Sequence, residues 1–344
     1  MNNFWRKLKK PILCLAPMAG ITDESFRYLC GKFGADVVYS EMISATAMVH
    51  GSEKTWELMR SYKKNGGAKF VVQLFGSEPA HFVKAVRMIE SKIKPDGFDI
   101  NFGCPAMKII KSCAGAKLFQ DLEQSRRVVE AVLRATKLPV SVKIRAHAGK
   151  ISALQFIEAM KGLDIAAIMI HGRTLAQGFS GPVDYGLINR AKKKFKGIVI
   201  ANGGINSVAD AEIMLKKTGA DGVGIGQGAC GYPQIFAELK NPPTLRLRGT
   251  SSSSLKLRGT SKKGINNIPT PPRRARHPSQ EGNIFRVAWE HAKLMEKFKG
   301  KRGILEMRKH LCWYVKGIPG AAELRKEFVK VETLSDIRRI MNDE

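Results

Sequence analysis

The sequence has no cysteine pair in a C-x-x-C arrangement. Its six cysteines, at 14, 30, 104, 113, 230 and 312, fit no zinc template, so no metal site is expected. No stretch approaches the roughly 20 apolar residues of a membrane span, so no membrane partner is expected from that feature. The opening MNNFWRKLKKPILCLAPMAG is basic, then briefly apolar. Its apolar run is short and holds Pro11 and Pro17, which suits a first strand better than a signal peptide. A reduced cytoplasmic protein is the expectation. Acid is also scarce: 30 Asp and Glu face 58 Lys and Arg, a formal charge of +28 over 344 residues. A polyanion is therefore the first partner to suspect, either nucleic acid or an anionic membrane surface. With 44% hydrophobic and 26% charged residues the chain is not disordered overall, and its length allows a large core plus an appendage.

Short apolar, β-branched runs occupy 12–16, 37–39, 70–75, 98–101, 140–144, 166–170, 198–201 and 222–225. Most are near-continuous in apolar residues, as strands buried on both faces should be. The spacing predicts helices over 125–136, 153–161 and 208–216, the last with Asn206 and Ser207 as candidate caps. Eight alternating units predict the α/β class and a TIM (β/α)8 barrel, with an open doubly wound sheet as the rival.

Polar residues and glycines gather where each predicted strand ends. Pro17, Met18 and Ala19 follow the first, Gln73 ends the third, and Asn101 to Cys104 follow the fourth. Lys143 and Arg145 end the fifth, and His171 and Arg173 follow the sixth. Asn202, Gly203 and Gly204 follow the seventh, and Gly226 and Gln227 the eighth. Barrel active sites are built at that rim. Glycine turns alone explain Gly20 or Gly228; they do not explain Gln, Lys, His and Asn at four strand ends.

The barrel pattern stops near Phe236, which sets a catalytic unit at 1–240. Residues 241–283 are rich in Ser, Pro, Gly and Arg and repeat LRLRGTS (245–251) as LKLRGTS (255–261). A disordered basic insertion or linker is expected there. Helical spacing resumes over 285–298, 304–315, 321–331 and 334–341, so 284–344 is expected to be a small helical bundle. Its Lys301, Arg302, Arg308, Lys309, Lys316 and Arg325 suit a nucleic-acid face, although such runs are often plain solvated surface.

The glycine turns after strands seven and eight suit a phosphate, because glycine lets peptide N–H groups approach an anion closely. Lys143 lies between Val142 and Ile144 and must face the mouth to avoid a costly burial. There it could stabilise an electron-rich ring such as a reduced flavin, form a Schiff base, or pair with an acid. Gln73 and Asn101 could bond a planar heterocycle. Cys104, between Gly103 and Pro105, sits in a loop, where its thiol could donate a proton or act as a nucleophile.

The chain resembles the tRNA-dihydrouridine synthases, and its arrangement is most similar to their bacterial B-type branch. The resemblance is carried by APMAGITD (16–23), QLFGSEP (73–79), DINFGCPAMKI (99–109), VKIR (142–145) and HGRT (171–174). It continues through ANGGI (201–205), IGQGACGYPQIF (225–236) and RKHLCWYVKGIPGAAELR (308–325). It implies an FMN barrel with a helical tRNA-binding domain, reduced by NADPH (or NADH), and a monomer. It implies that Pro17, Met18, Ala19, Gln73, Lys143 and His171 contact the flavin, and that Asn202, Gly203, Gly204, Gly226 and Gln227 hold its phosphate end. Cys104 would be the general acid, with Asn101, Arg145 and Arg173 near the uracil. The sequence departs from the pattern at Gln227, where the family usually has Arg, so a cation is missing from the expected phosphate site. Two alternatives stand beside this reading: an FMN barrel oxidoreductase acting on a free pyrimidine, and a tRNA-binding protein with weakened catalysis.

Overall fold

In the computed structural model, residues 3–61, 63–241 and 278–342 are described. Eight parallel strands form the centre: β1 (Ile12–Leu15), β2 (Val37–Tyr39), β3 (Lys69–Phe75), β4 (Gly97–Asn101), β5 (Val140–Ala148), β6 (Ala167–Thr174), β7 (Ile198–Asn202) and β8 (Gly222–Ile225). Each pairs with the next, and β8 returns to β1 through Ile12↔Gly222 and Leu15↔Ile225, so the sheet closes. The barrel expectation is met, and the open-sheet rival is not. Two two-residue strands, Ile43–Ser44 and Ile151–Ser152, extend the rim at β3 and β5.

Alternation along each strand sorts its side chains. Outward residues such as Leu13, Val72, Ile100, Val142 and Ile170 join one large apolar cluster beneath the surrounding helices. Inward residues Ile12, Cys14, Val37, Tyr39, Val71, Met169 and Ile200 fill the barrel, and the turn Phe4–Lys7 inserts Phe4 and Trp5 among them. That end is therefore plugged with apolar side chains, and polar inward positions fall nearer the other end.

The helices between strands include α1 (Glu24–Lys32), α2 (Pro79–Ile93), α3 (Leu122–Ala135), α4 (Ala153–Ala159), α5 (Tyr185–Lys194) and α6 (Val208–Thr218). Their starts follow capping chemistry. Asp23, Asp121, Ser152, Asp184 and Ser207 each accept a bond from the first turn, a device contributing about 1 kcal/mol apiece. Ser207, not Asn206, caps α6; the Asn206 N–H instead donates to Asp210 at 2.9 Å.

After α7 (Ile235–Lys240) the expected insertion lies almost wholly outside the described residues. The chain resumes in α8 (Pro278–Lys299), which begins earlier than the expected 285, with proline in the first turn where its missing N–H costs nothing. Then follow α9 (Lys301–Tyr314), α10 (Ala321–Phe328) and α11 (Leu334–Asn342), around their own apolar cluster. These helices dock beside α1. Lys299 pairs with Asp23 at 2.7 Å, Lys32 with Glu290 at 2.7 Å, and Phe26 meets the rings of His291 and His310 at 5.6 Å each. No described helix is long and apolar enough to cross a membrane.

Candidate active site

A cleft of about 500 Å³ opens at the C-terminal ends of the strands. It gathers residues from β1, β4, β5, β6, β7 and β8: Pro17, Met18, Ala19, Asn101, Cys104, Lys143, Arg145, His171, Arg173, Asn202, Gly203, Gly204, Gly226 and Gln227 all line it. Of the site residues expected from sequence, Gln73 alone is not on its wall. Gln73 is fully buried one layer down, with its amide bonded to Asp99 and Asn101.

Two sides of the cleft differ in construction. On the β4–β5 side, Asn101 Oδ1 accepts from the N–H groups of Gly103 (3.0 Å) and Cys104 (2.9 Å), and its Nδ2 donates to Gln73 Oε1 at 2.9 Å. Arg145 Nε donates to the Gly103 carbonyl at 2.7 Å, and its Nη1 reaches the carbonyls of Thr174 (3.1 Å) and Gly178 (2.9 Å). Asn101 and Arg145 were expected to face a substrate base; both line the cleft, but these bonds commit them to the loop that carries Cys104 and to the loop after β6. The Cys104 carbonyl accepts from Ala116, so the loop is braced from a third direction.

On the β7–β8 side, glycines shape the wall. Gly203 has φ +111°, and a Cβ there would come within 2.6 Å of the His171 ring. Gly228 lies so close to the Ile205 carbonyl that a Cβ would meet it at 2.0 Å. Among the described residues, the peptide N–H groups of Gly203, Gly204 and Gln227 donate to no protein acceptor. The Arg173 guanidinium reaches over this turn: a Cβ on Gly204 would lie 3.4 Å from its Nη2. Arg173 Nε donates to the Gly181 carbonyl at 2.9 Å.

Among the described residues no carboxylate lines the cleft, whereas Lys143, Arg145 and Arg173 do. Burial draws Lys143 down to about 8, with Arg145 adding to the shift and Asp99 opposing it. Burial, then Lys143, Arg145 and Arg173, hold His171 at about 2, so its imidazole is neutral. Below them, burial raises Asp99 to about 6, against the pull of Ser141, Gln73 and Lys143. The wall thus offers positive charge, donors and one thiol, an arrangement suited to an electron-rich or anionic guest.

The sequence matches the family model "Dihydrouridine synthase (Dus)" over residues 14–342. The chain belongs to the dihydrouridine synthase family. It is 33% identical over 320 residues to a "Probable tRNA-dihydrouridine synthase" of Rickettsia bellii, covering 91% of this chain and 88% of that one. It is 32% identical over 323 residues to "tRNA-dihydrouridine synthase B" of Pseudomonas syringae pv. tomato, covering 93% and 87%. Among solved structures, histamine dehydrogenase from Rhizobium sp. 4-9 superposes with a TM-score of 0.52 at 14% identity. That match covers 67% of this chain and 46% of the other, so this chain spans about half the length of that structure; the likeness is one of fold.

Sequence reasoning did not place Phe179, Met42, Ile21 or Asn206 in the site, and they also line the cleft. Phe179 had a readable signal. It is a 64% exposed aromatic in the loop after β6, between Gly178 and Gly181, with the Arg145 guanidinium 5.8 Å from its ring centre. Asp99 was legible too, since it sits two residues before Asn101 and so shares its inward face.

Proposed function

We propose that this protein reduces uridine to 5,6-dihydrouridine in tRNA, with FMN as the resident cofactor and NADPH as reductant. The observation that carries the reading is the convergence of Cys104, Lys143 and the open glycine turn on one cleft lined by cations, in a chain of this family. The residues fit a flavin mononucleotide. Unpaired N–H groups at Gly203, Gly204 and Gln227 suit its phosphate, with Arg173 as the nearby cation that Gln227 does not provide. The Lys143 ammonium suits the pyrimidine edge of a reduced ring, where negative charge accumulates. Pro17, Met18 and Ala19 offer an apolar wall.

When bound, the flavin supplies a hydride to C6 of the uracil. The chain's residues do the rest. The C5=C6 bond is conjugated to the C4 carbonyl, so charge develops toward C5 and O4. Cys104 Sγ–H delivers the proton to C5, and the loop that carries it is fixed by Asn101 and Arg145. Neutral His171 adds no competing acid near the ring. Phe179, at the mouth, offers a face for a base that has left its stack.

We infer that the unit 284–344 holds the tRNA backbone, making binding salt-sensitive. Lys316 and Arg325 are exposed and available to phosphate, whereas Arg302 pairs with Glu306, and Arg308 bonds the Val331 carbonyl.

The test is NADPH-dependent dihydrouridine formation in unmodified tRNA with added FMN, comparing wild type and Cys104→Ala. Product from wild type alone supports the reading. A folded wild type that binds tRNA and makes no product returns the argument to the RNA-binding alternative. Turnover of free uridine or uracil without tRNA would favour the free-pyrimidine oxidoreductase.

A further inference from the structure

A line of buried polar side chains runs beneath Cys104. Ser141 Oγ donates to Asp99 Oδ1 at 2.6 Å, and Gln73 Nε2 donates to Asp99 Oδ2 at 2.7 Å. Asn101 Nδ2 donates to Gln73 Oε1 at 2.9 Å, and Asn101 Oδ1 accepts from the Gly103 and Cys104 N–H groups. The strand register creates the line. Gln73 sits opposite Asp99, Asp99 opposite Ser141, and Asn101 opposite Lys143, so all share the inward face of three adjacent strands. None is more than 6% exposed except Lys143, which closes the line at the cleft.

The line has a direction. A primary amide is nearly symmetric in shape but carries an acceptor at one end and donors at the other. A carboxylate only accepts, so Asp99 forces Gln73 to turn its NH2 inward and its oxygen toward Asn101. That oxygen forces Asn101 to turn its own NH2 away from the loop and its oxygen toward Gly103 and Cys104. If either amide were reversed, donors would face donors in a dry interior, at about 1–3 kcal/mol for each unpaired group.

We propose that Asp99, acting through Gln73 and Asn101, is a positioning residue for Cys104: its carboxylate fixes the direction of the Gln73 amide, which anchors Asn101 from below while the loop N–H groups bind it from above, and so holds the thiol's loop in place. The proposal rests on the function above only for its consequence in turnover. The placement of the loop can be read without it.

The decisive comparison uses Asn101→Asp, Asp99→Asn and the double exchange. The readout is the rate at which iodoacetamide labels Cys104 in the flavin-free protein, followed by mass spectrometry of the Cys104 peptide. Asn101→Asp puts a second acceptor against Gln73 Oε1 and breaks the line. Labelling is expected to quicken by roughly tenfold as the loop opens, about the factor expected from 1.4 kcal/mol. Asp99→Asn alone removes one of the two constraints on the direction of the line, since the Gly103 and Cys104 N–H groups still require Asn101 Oδ1, and has a smaller effect. In the double exchange the carboxylate now at position 101 accepts from the loop and from the Gln73 amide, and Gln73 Oε1 accepts from the new amide at position 99. The two links through Gln73 are restored with donor and acceptor exchanged, Ser141 and the loop N–H groups go on donating to positions 99 and 101, and labelling is expected to return to within about threefold of wild type. A new charge beside the thiol cannot account for this recovery, because the double variant keeps that charge.

Gln73→Met, which removes the middle link without adding charge, should loosen the loop as well and serves if Asn101→Asp does not fold, judged by its thermal midpoint. Unchanged labelling in folded Asn101→Asp and Gln73→Met, or a double exchange as perturbed as the single, overturns the proposal. In turnover, kcat should follow the labelling pattern while KM for tRNA stays constant. Absence of dihydrouridine from wild type would count against the function alone, since labelling still decides the positioning role.

Discussion

The two sides of the cleft solve opposite problems. Beneath Cys104, amide and carboxylate groups are spent on one another, and the loop is tied to Asn101, Arg145 and Ala116. Across the cleft, the turns after β7 and β8 leave the N–H groups of Gly203, Gly204 and Gln227 without a protein acceptor among the described residues. Saturated hydrogen bonding holds a side chain still; unsaturated backbone awaits a ligand. One side, at the ends of β4 and β5, is built for positioning, and the other, at the ends of β7 and β8, for binding.

The sharpest way to separate the sides is Cys104→Ala. It should lower dihydrouridine formation by roughly 10²–10⁴-fold, the range for losing a positioned acid, with FMN affinity unchanged in flavin-fluorescence titration. A large loss of affinity would show that the two sides are not separable. The converse change is Gly203→Val. Its φ of +111° and the 2.6 Å approach to His171 leave no room for a side chain. FMN affinity should fall by at least about tenfold, since strain of roughly 1–3 kcal/mol is added at the binding turn. Cys104 labelling should barely change.

Lys143 stands on β5, opposite Asn101 on the first of these sides, and gives the comparison a pH dependence. Its ammonium is charged below about 8 and neutral above. FMN affinity should therefore decline as pH rises through that value, and Lys143→Met should flatten the profile, read by the same titration. The smallest effect is expected from Gln227→Arg. With Arg173 already over the turn, a second cation should tighten FMN by only a few-fold, as for other partly exposed charges. In an Arg173→Ala background the gain should be larger. Equal gains in both backgrounds would show that Arg173 does not serve that end.

The docking of α8 and α9 against α1 sets an outer limit on acid tolerance. Burial holds His291 at about 4, below its ordinary value, and His310 well below as well. The unfolded chain therefore binds more protons than the folded one between about 6.5 and 4, and stability falls as pH drops through that window. Asp23, held at about 2 chiefly by Lys299 against the cost of its burial, loses its contribution as pH falls from about 3.8 toward 2. Thermal midpoints measured from about pH 7 to 4 should decline, and His291→Phe should reduce the slope.

The barrel was legible because its signal is local. Eight apolar runs separated by helical intervals need little tertiary information, and all eight lie within the observed strands to within a residue or two. The rim residues were legible for the same reason: polar types at strand ends have one plausible destination in this fold. Gln73 shows where that reasoning stops. Its type and position suited a ligand contact, yet burial and two hydrogen bonds make it an internal strut. Asn101 and Arg145 reach the cleft but are tied to the Cys104 loop, which no motif reveals.

By itself, then, the sequence determined the barrel, its mouth, the candidate acid Cys104, the cation Lys143 and the glycine turns, because each follows from periodicity or from a residue type at a strand end. Tertiary structure alone decided which donors meet which acceptors: the Asp99–Gln73–Asn101 line, the Arg145 clamp and the placement of Arg173 over Gly204. Those pairings join residues on different strands and loops. Their partners are chosen by strand register and by the exclusion of water, which only the closed barrel supplies.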